Sequence, residues 1–178
     1  MVTTTAKLMR RQGYHATGLN QIVAESGAPK GSIYFHFPGG KEQLAAEAIA
    51  ASAAYLDKGM RACERETALA SLDLYVSEAA NVLERTGFAE GCPIATVILE
   101  ASVASPALGQ ACSDAVEALL GRLTGWLERD GFPPDTARER AQLVYAALEG
   151  TLMFAKALRS VEPLTNLRRQ LPGLIGEP

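Results

Sequence analysis

The sequence predicts an all-α fold, with a small group of short helices at the N-terminus and a larger helical body behind it. Three observations lead there. No stretch carries convincing strand character and no internal repeat is present. From residue 40 onward, apolar residues recur at helical intervals. Residues 19 to 44, LNQIVAESGAPKGSIYFHFPGGKEQL, read as one short helix, a tight turn and a second short helix.

Within that segment, Ile22 and Val23 begin an apolar face, and Gly27 closes the helix by tolerating left-handed backbone. Pro29 suits the first turn of the next helix, where a missing amide hydrogen costs little. Ile33 and Phe37, four apart, fall on one buried face, while Lys30, Ser32, Tyr34 and His36 spread over the rest. Pro38 stops this helix and Gly39-Gly40 turns the chain into a long alanine-rich one, expected to run to about Glu66. Thr67 can cap the next helix, in which Leu69, Leu72, Val76, Ala80 and Leu83 recur, and Gly87 ends it. A short helix opens after Gly91 and closes near Ser102.

Ser105-Pro106 then pairs a cap with a first-turn proline ahead of the stripe Leu108, Cys112, Val116, Leu119, Leu123, Trp126 and Leu127. After Gly131-Phe132-Pro133-Pro134 a last long helix runs to about Ser160. A tail helix after Pro163 is expected to end before Pro172. The second half of the 134 to 160 helix, LVYAALEGTLMFAKAL, is apolar nearly all round, so its own core cannot cover it. Ala146, Ala147, Gly150 and Ala155 would let another helix approach closely. Helices 106–130 and 134–160 are therefore expected to pair with their copies as a four-helix homodimer interface. The alternative is a central helix in a monomeric bundle.

At 178 residues, 48% hydrophobic and 21% charged, the chain has the composition of an ordinary globular protein and can bury a real core. No apolar run approaches membrane length and the opening has no secretory stretch. Cys63, Cys92 and Cys112 have no metal-ligand spacing, and an odd count argues against a disulfide framework. A cytoplasmic location, with no membrane partner, is the expectation. Charge divides unevenly. Residues 1 to 44 hold five basic and two acidic side chains, net +3, and the other 134 hold 12 basic and 18 acidic, net −6. A basic head on an acidic body suits contact with a polyanion at one end.

A helix-turn-helix with Lys, Ser, Tyr and His on its exposed face can seat on a phosphate backbone while side chains reach a groove. Here the sequence resembles a known family. Thr17, Ile22, Gly27, Lys30-Gly31-Ser32-Ile33-Tyr34, His36-Phe37, Lys41-Glu42 and Leu44 resemble the DNA-binding domain of TetR-family transcriptional regulators. Leu8-Met9 and Gly13-Tyr14 match that family's first helix and its end. Leu19-Asn20-Gln21-Ile22, Gly27-Ala28-Pro29-Lys30-Gly31, Phe37-Pro38-Gly39-Gly40-Lys41 and the later Gly91-Cys92-Pro93-Ile94 are similar to the LmrA and YxaF branch. The chain departs from the pattern at Pro29, where serine is frequent, at Val23, where a small residue is usual, and at Gly18. Its lead before the first helix is also shorter.

The resemblance implies a helix-turn-helix DNA-binding domain over 1–44 and a helical ligand-binding and dimerisation domain over 45–178. It implies a repressor held as a homodimer on a palindromic double-stranded DNA operator and released by a small-molecule effector. By analogy, Thr17 would offer its hydroxyl and amide to a phosphate, and Lys30 and Ser32 would approach groove or phosphate, with Gly31 permitting close approach. Tyr34 and His36 would donate to flanking phosphates, Lys41 would clamp the strand, and Gln21 and Phe35 would contact bases.

For the effector, apolar or aromatic in character, the candidates are Tyr75, Phe88, Ile94, Ile98, Trp126, Tyr145, Leu148 and Met153. Such a stripe also fits plain core. Trp126 and Tyr145 lead, because each joins an apolar face to a hydrogen-bonding tip. Glu149, inside an apolar run, would bind a polar ligand group or close an ion pair at the dimer seam. Cys92, between Gly91 and Pro93 at a helix start, could be redox-active or simply structural. Only His15 and His36 exist, no Ser-His-acid order appears, and no glycine-rich loop follows a strand, so an enzyme is not expected, nor a cofactor or metal. The competing expectation is a helical ligand-binding or redox-sensing protein without DNA binding.

Overall fold

The computed structural model describes every residue of the chain except Lys30. The described residues form helices and no strand. The order is α1 (Val2–Ala16), α2 (Leu19–Ser26), α3 (Ser32–His36), α4 (Gly40–Ala62), α5 (Ala68–Arg85), α6 (Pro93–Ala101), α7 (Pro106–Arg129), α8 (Pro134–Leu158) and α9 (Glu162–Ile175). Several boundaries have visible chemical causes. Gly27 ends α2 in the left-handed region at φ 67°. The Thr67 hydroxyl accepts from the amide of Ala70 at 3.2 Å, and that of Ser105 accepts from Leu108 at 3.1 Å, each satisfying a free first-turn donor. The Cys92 sulfur takes the Ala95 amide at 3.5 Å ahead of Pro93, serving as a weak cap.

Three boundaries differ from expectation. The recognition helix begins at Ser32 rather than at Pro29, whose carbonyl instead accepts the Ser32 amide at 3.0 Å in a turn. Helix α4 stops at Ala62, four residues early. The following turn is held by the Ser71 hydroxyl on the Arg65 amide and by Asp130 on the Ala68 amide. Helix α5, by contrast, closes as expected: Arg85 is its last residue, and Gly87 follows the Thr86 cap in left-handed backbone. Helix α9 runs on through Pro172 to Ile175. A proline inside a helix costs about 3 kcal/mol. Leu167, Leu171 and Ile175, spaced by four and buried, offset that loss by holding the last turn down.

The chain separates into two compact units. The first is Met1–Tyr55 with Cys92–Val116, and the second is Leu56–Gly91 with Glu117–Pro178. Helices α4 and α7 are divided between them. In the first unit, Leu8, Ile22, Phe37 and Leu44 form one buried cluster, with Met1, Val2 and Leu19 packed on it. These residues bring α1, α2, α3 and the start of α4 together. Helix α1 also packs along α6.

In the second unit α9 packs on α5 and α8. Its core includes Leu72 and Val76, then Leu119, Leu123, Trp126 and Leu127, then Val144, Leu148 and Leu164. Ion pairs brace its surface. Arg168 grips Asp73 with two bonds of 2.7 Å, and Asp57 receives both Arg122 at 2.8 Å and Arg61 at 2.7 Å. The Arg168 hydrogen bond holds the Asp73 carboxyl below its ordinary value, against some burial. Arg122 does the same for Asp57, with Arg61 adding to it. A carboxyl depressed in the folded state contributes stability above its unfolded pKa and loses it as pH falls through the folded one. Melting temperature should therefore drop on acidification below the ordinary aspartate range. The drop should be smaller in Asp73→Asn, by about 1 kcal/mol or less because the pair is half-exposed. Thermal melts from pH 7 to pH 3 check this, and superimposable acid limbs would contradict it.

Candidate nucleic-acid interface

Helix α3 owes its outward face to the burial of its other side. Ile33 and Phe37 are both buried, Phe37 within the cluster, and the Phe37 amide closes the helix on the Ile33 carbonyl at 2.6 Å. The turn back into α4 follows through Gly40, whose amide bonds the Phe37 carbonyl at 2.8 Å. The remaining positions are forced into solvent. Tyr34 is 67% exposed and Phe35 83%, with His36 beside them. The Phe35 and His36 rings meet edge to face, 5.0 Å apart. The Ser32 hydroxyl donates to the Pro29 carbonyl at 2.7 Å, leaving its lone pairs outward. Gly31, at the N-cap, is exposed, and a Cβ there would meet nothing. Lys30 lies outside the described residues.

Three other predicted contacts look different in the structure. Thr17 is fully buried, its hydroxyl donating to the Gly13 carbonyl at 2.6 Å and its amide bonding the Tyr14 carbonyl at 3.1 Å. The expectation of a phosphate donor is corrected: both donors finish α1, and Gly18 is the cap of α2. Gln21 receives the Gln12 amide at 2.8 Å and donates to Glu25 at 2.9 Å, so its carboxamide is spoken for within the head. Lys41 is turned inward. Its ammonium lies 4.3 Å from the centre of the Tyr14 ring and donates to the His15 carbonyl at 3.3 Å. Burial lowers its pKa, and the Glu100 charge opposes that.

Glu100 was not among the expected residues, yet it organises this end of the first unit. Its carboxylate accepts the His15 amide at 2.8 Å, and its carbonyl lies 3.1 Å from the His15 ring Nε2. Room for it exists because α1 breaks at Gly13, which holds φ 85° and ψ 173°. A Cβ there would collide with the carboxylate. Ser105, just beyond α6, donates to Glu42 at the head of α4. Glu100 and His15 stand 85 residues apart, so no local pattern could have paired them.

The expected effector residues fall in both units. Ile94 belongs to the first and is buried. Ile98 is on the surface, since the buried side of α6 is carried by Pro93, Ile94, Val97 and Ala101. In the second unit Trp126 and Leu148 are buried, and Tyr75, Phe88, Tyr145 and Glu149 are half-buried. Met153 is corrected as a cavity wall. It is 59% exposed and shares an outward apolar stripe of α8 with Leu143, Phe154 and Leu158. The Trp126 Nε1 is buried without an acceptor among the described residues. A cleft of about 530 Å³ in the second unit, lined by Thr67, Phe132, Pro172 and Ile175 among others, includes none of the expected effector residues. The described residues hold no cluster of metal ligands. Burial pushes the Cys63 and Cys112 thiols up, and Cys92 is half-buried.

A three-helix head that presents a short exposed helix, in a chain whose described residues form helices and no strand, is the architecture of a helix-turn-helix DNA-binding protein. The family described as bacterial regulatory proteins, tetR family, matches residues 2–48. The C-terminal domain of LmrA/YxaF-like transcriptional regulators matches residues 68–170. The chain belongs to the TetR family of transcriptional regulators, in its LmrA/YxaF-like branch. It is 32% identical over 177 residues to the HTH-type transcriptional regulator LmrA of Bacillus subtilis, covering 98% of this chain and 94% of that protein. It is 36% identical over 186 residues to an uncharacterized HTH-type regulator of Mycobacterium tuberculosis, covering 98% and 92%. Among solved structures, the regulatory protein TetR from Rhodobacter sphaeroides superimposes with a TM-score of 0.85 at 20% identity, covering 97% and 95%. A TetR regulator from Legionella pneumophila gives 0.84 at 17%, covering 98% and 95%. The family evidence thus agrees with the fold and with the DNA-binding helix-turn-helix.

Proposed function

We propose that the chain is a repressor that grips a palindromic operator as a homodimer and lets go when a small apolar or aromatic molecule enters its body. The exposed face of α3 on a head of net +3 carries this reading. Its outward residues are largely exposed, and their chemistry is that of groove and phosphate contact. Tyr34, His36 and Ser32 are the proposed contacts, with Phe35 toward the bases and Lys30 and Gly31 at the approach. Lys41 acts from behind, holding the end of α1 against α4.

Two-fold pairing rests on α7 and α8. Leu143, Met153, Phe154 and Leu158 stand exposed on α8 around Ala146, Ala147 and Gly150, and α7 offers Ala118, Gly121 and Gly125. A Cβ added at any of these three glycines would meet nothing within its own chain. Small residues ringed by exposed apolar ones suit close helix packing between copies. In the body, the buried Trp126 Nε1 favours an effector that joins an apolar frame to a hydrogen-bond acceptor. Tyr75, Tyr145 and Leu148 are its proposed neighbours. Release follows if the effector prefers a body in which α4 tilts, changing the separation of the two heads. On this reading the chain is a regulator rather than an enzyme, and it acts beside the chromosome, in the cytoplasm.

The test is binding to duplexes from around its own gene across a salt series. A protected palindrome is expected, with affinity falling steeply as salt rises because phosphate contacts release counterions. Tyr34→Ala should weaken it at least tenfold with little change in the melt, since that side chain is two-thirds exposed. Indifference to every duplex at low salt would refute the reading.

A further inference from the structure

The most exposed large apolar side chain of the head is Phe35, at 83%. Its position is set by the helix period. Ile33 and Phe37 mark the buried side of α3, and at about 100° per residue Phe35 lies diametrically opposite their mean direction. No side chain of α3 can point further from the head. Ser32, three residues back, shares its face. The His36 ring meets it edge-on at 88°.

Two of its polar neighbours are partly committed within the head. The Ser32 hydroxyl proton goes to Pro29, and the Gln21 carboxamide is engaged by Gln12 and Glu25. Among the described residues of the recognition helix, the group that stands furthest out is a hydrocarbon ring with neither donor nor acceptor. In a major groove every base edge offers hydrogen-bonding atoms, and the one apolar group is the C5-methyl of thymine.

We infer that Phe35 is a specificity residue that reads a thymine methyl in each half of the operator. The inference rests on α3 being the recognition helix and goes beyond it by naming the base and the group on it. A phenyl packed on a methyl removes both from water, whereas the same ring against cytosine or a purine would cover polar atoms it cannot satisfy.

The experiment uses the full chain and the duplex it protects, with each thymine replaced in turn by deoxyuridine, which deletes only the methyl. One symmetry-related thymine per half-site should lose roughly fourfold in affinity, the amount a buried methyl-sized group contributes. Phe35→Ala should bind the thymine duplex more weakly, keep its salt slope, and no longer distinguish thymine from deoxyuridine there. Its melt should be unchanged, because the ring is exposed. If the variant discriminates as the parent does, or no thymine matters to the parent, Phe35 does not read a methyl. Parent protein that binds no duplex at all overturns the recognition-helix reading itself, and is recognised by the missing salt dependence.

Discussion

Phe154→Asp should give a folded monomer that has lost at least a hundredfold in operator affinity. Phe154 is 56% exposed and lies on the outward α8 stripe with Leu143 and Leu158, so the charge can stay in water and costs little within a single chain. Placed on a two-fold seam it appears twice, and each carboxylate would have to leave water for an apolar surface. Losing the pairing removes the linkage between two heads, which multiplies affinity by 10² to 10⁴ through effective concentration alone. Light scattering across a dilution series reads the mass, and gel shift reads the affinity. Circular dichroism should be unchanged. A variant that stays dimeric and binds as before would place the seam elsewhere on the molecule.

The other large effect is expected at Gly13. Its φ of 85° with ψ of 173° is a region essentially restricted to glycine, and forcing alanine into it costs roughly 1–3 kcal/mol. The new methyl would also displace the Glu100 carboxylate from the His15 amide, a charge-assisted bond worth about 1.5 kcal/mol at a partly exposed site. Together these suggest a loss of about 3–4 kcal/mol, or roughly a 10 °C fall in melting temperature for a chain of this size. Gly13→Ala combined with Glu100→Ala separates the two contributions. The double variant should fall little further than the first, since the bond is already broken. A melt of Gly13→Ala equal to the parent's would show that the break in α1 is not a requirement of the fold.

What could be read from the sequence was whatever the backbone or a short-range cap dictates. Gly27, Thr67 and the Ser105-Pro106 pair each fix an end within their own few residues, and all three ends lie where expected. The opposed faces of α3 were equally visible, because Ile33 and Phe37 are four apart and everything else there is polar or aromatic. Thr17 was misread because a threonine between two helices can finish one or start the other. The choice was made by the break at Gly13, which frees a carbonyl for its hydroxyl. Met153 and Ile98 were misplaced for a different reason: periodicity says which residues share a face, not whether that face meets the chain's own core. Pro172 looked like a stop because the buried anchors Leu171 and Ile175 work through contacts with α5 and α8, distant in sequence. Glu100 left no local trace at all.

The first compact unit takes in Cys92–Val116 as well as the N-terminal residues. A reader module excised at residue 48, where the head's family match ends, would leave the break in α1 without the carboxylate that occupies it. Chimeras that graft a foreign head onto this body by joining at α4 would inherit the same mismatch. The graft that respects the protein's own seams is discontinuous, carrying α6 and the first half of α7 along with the reader.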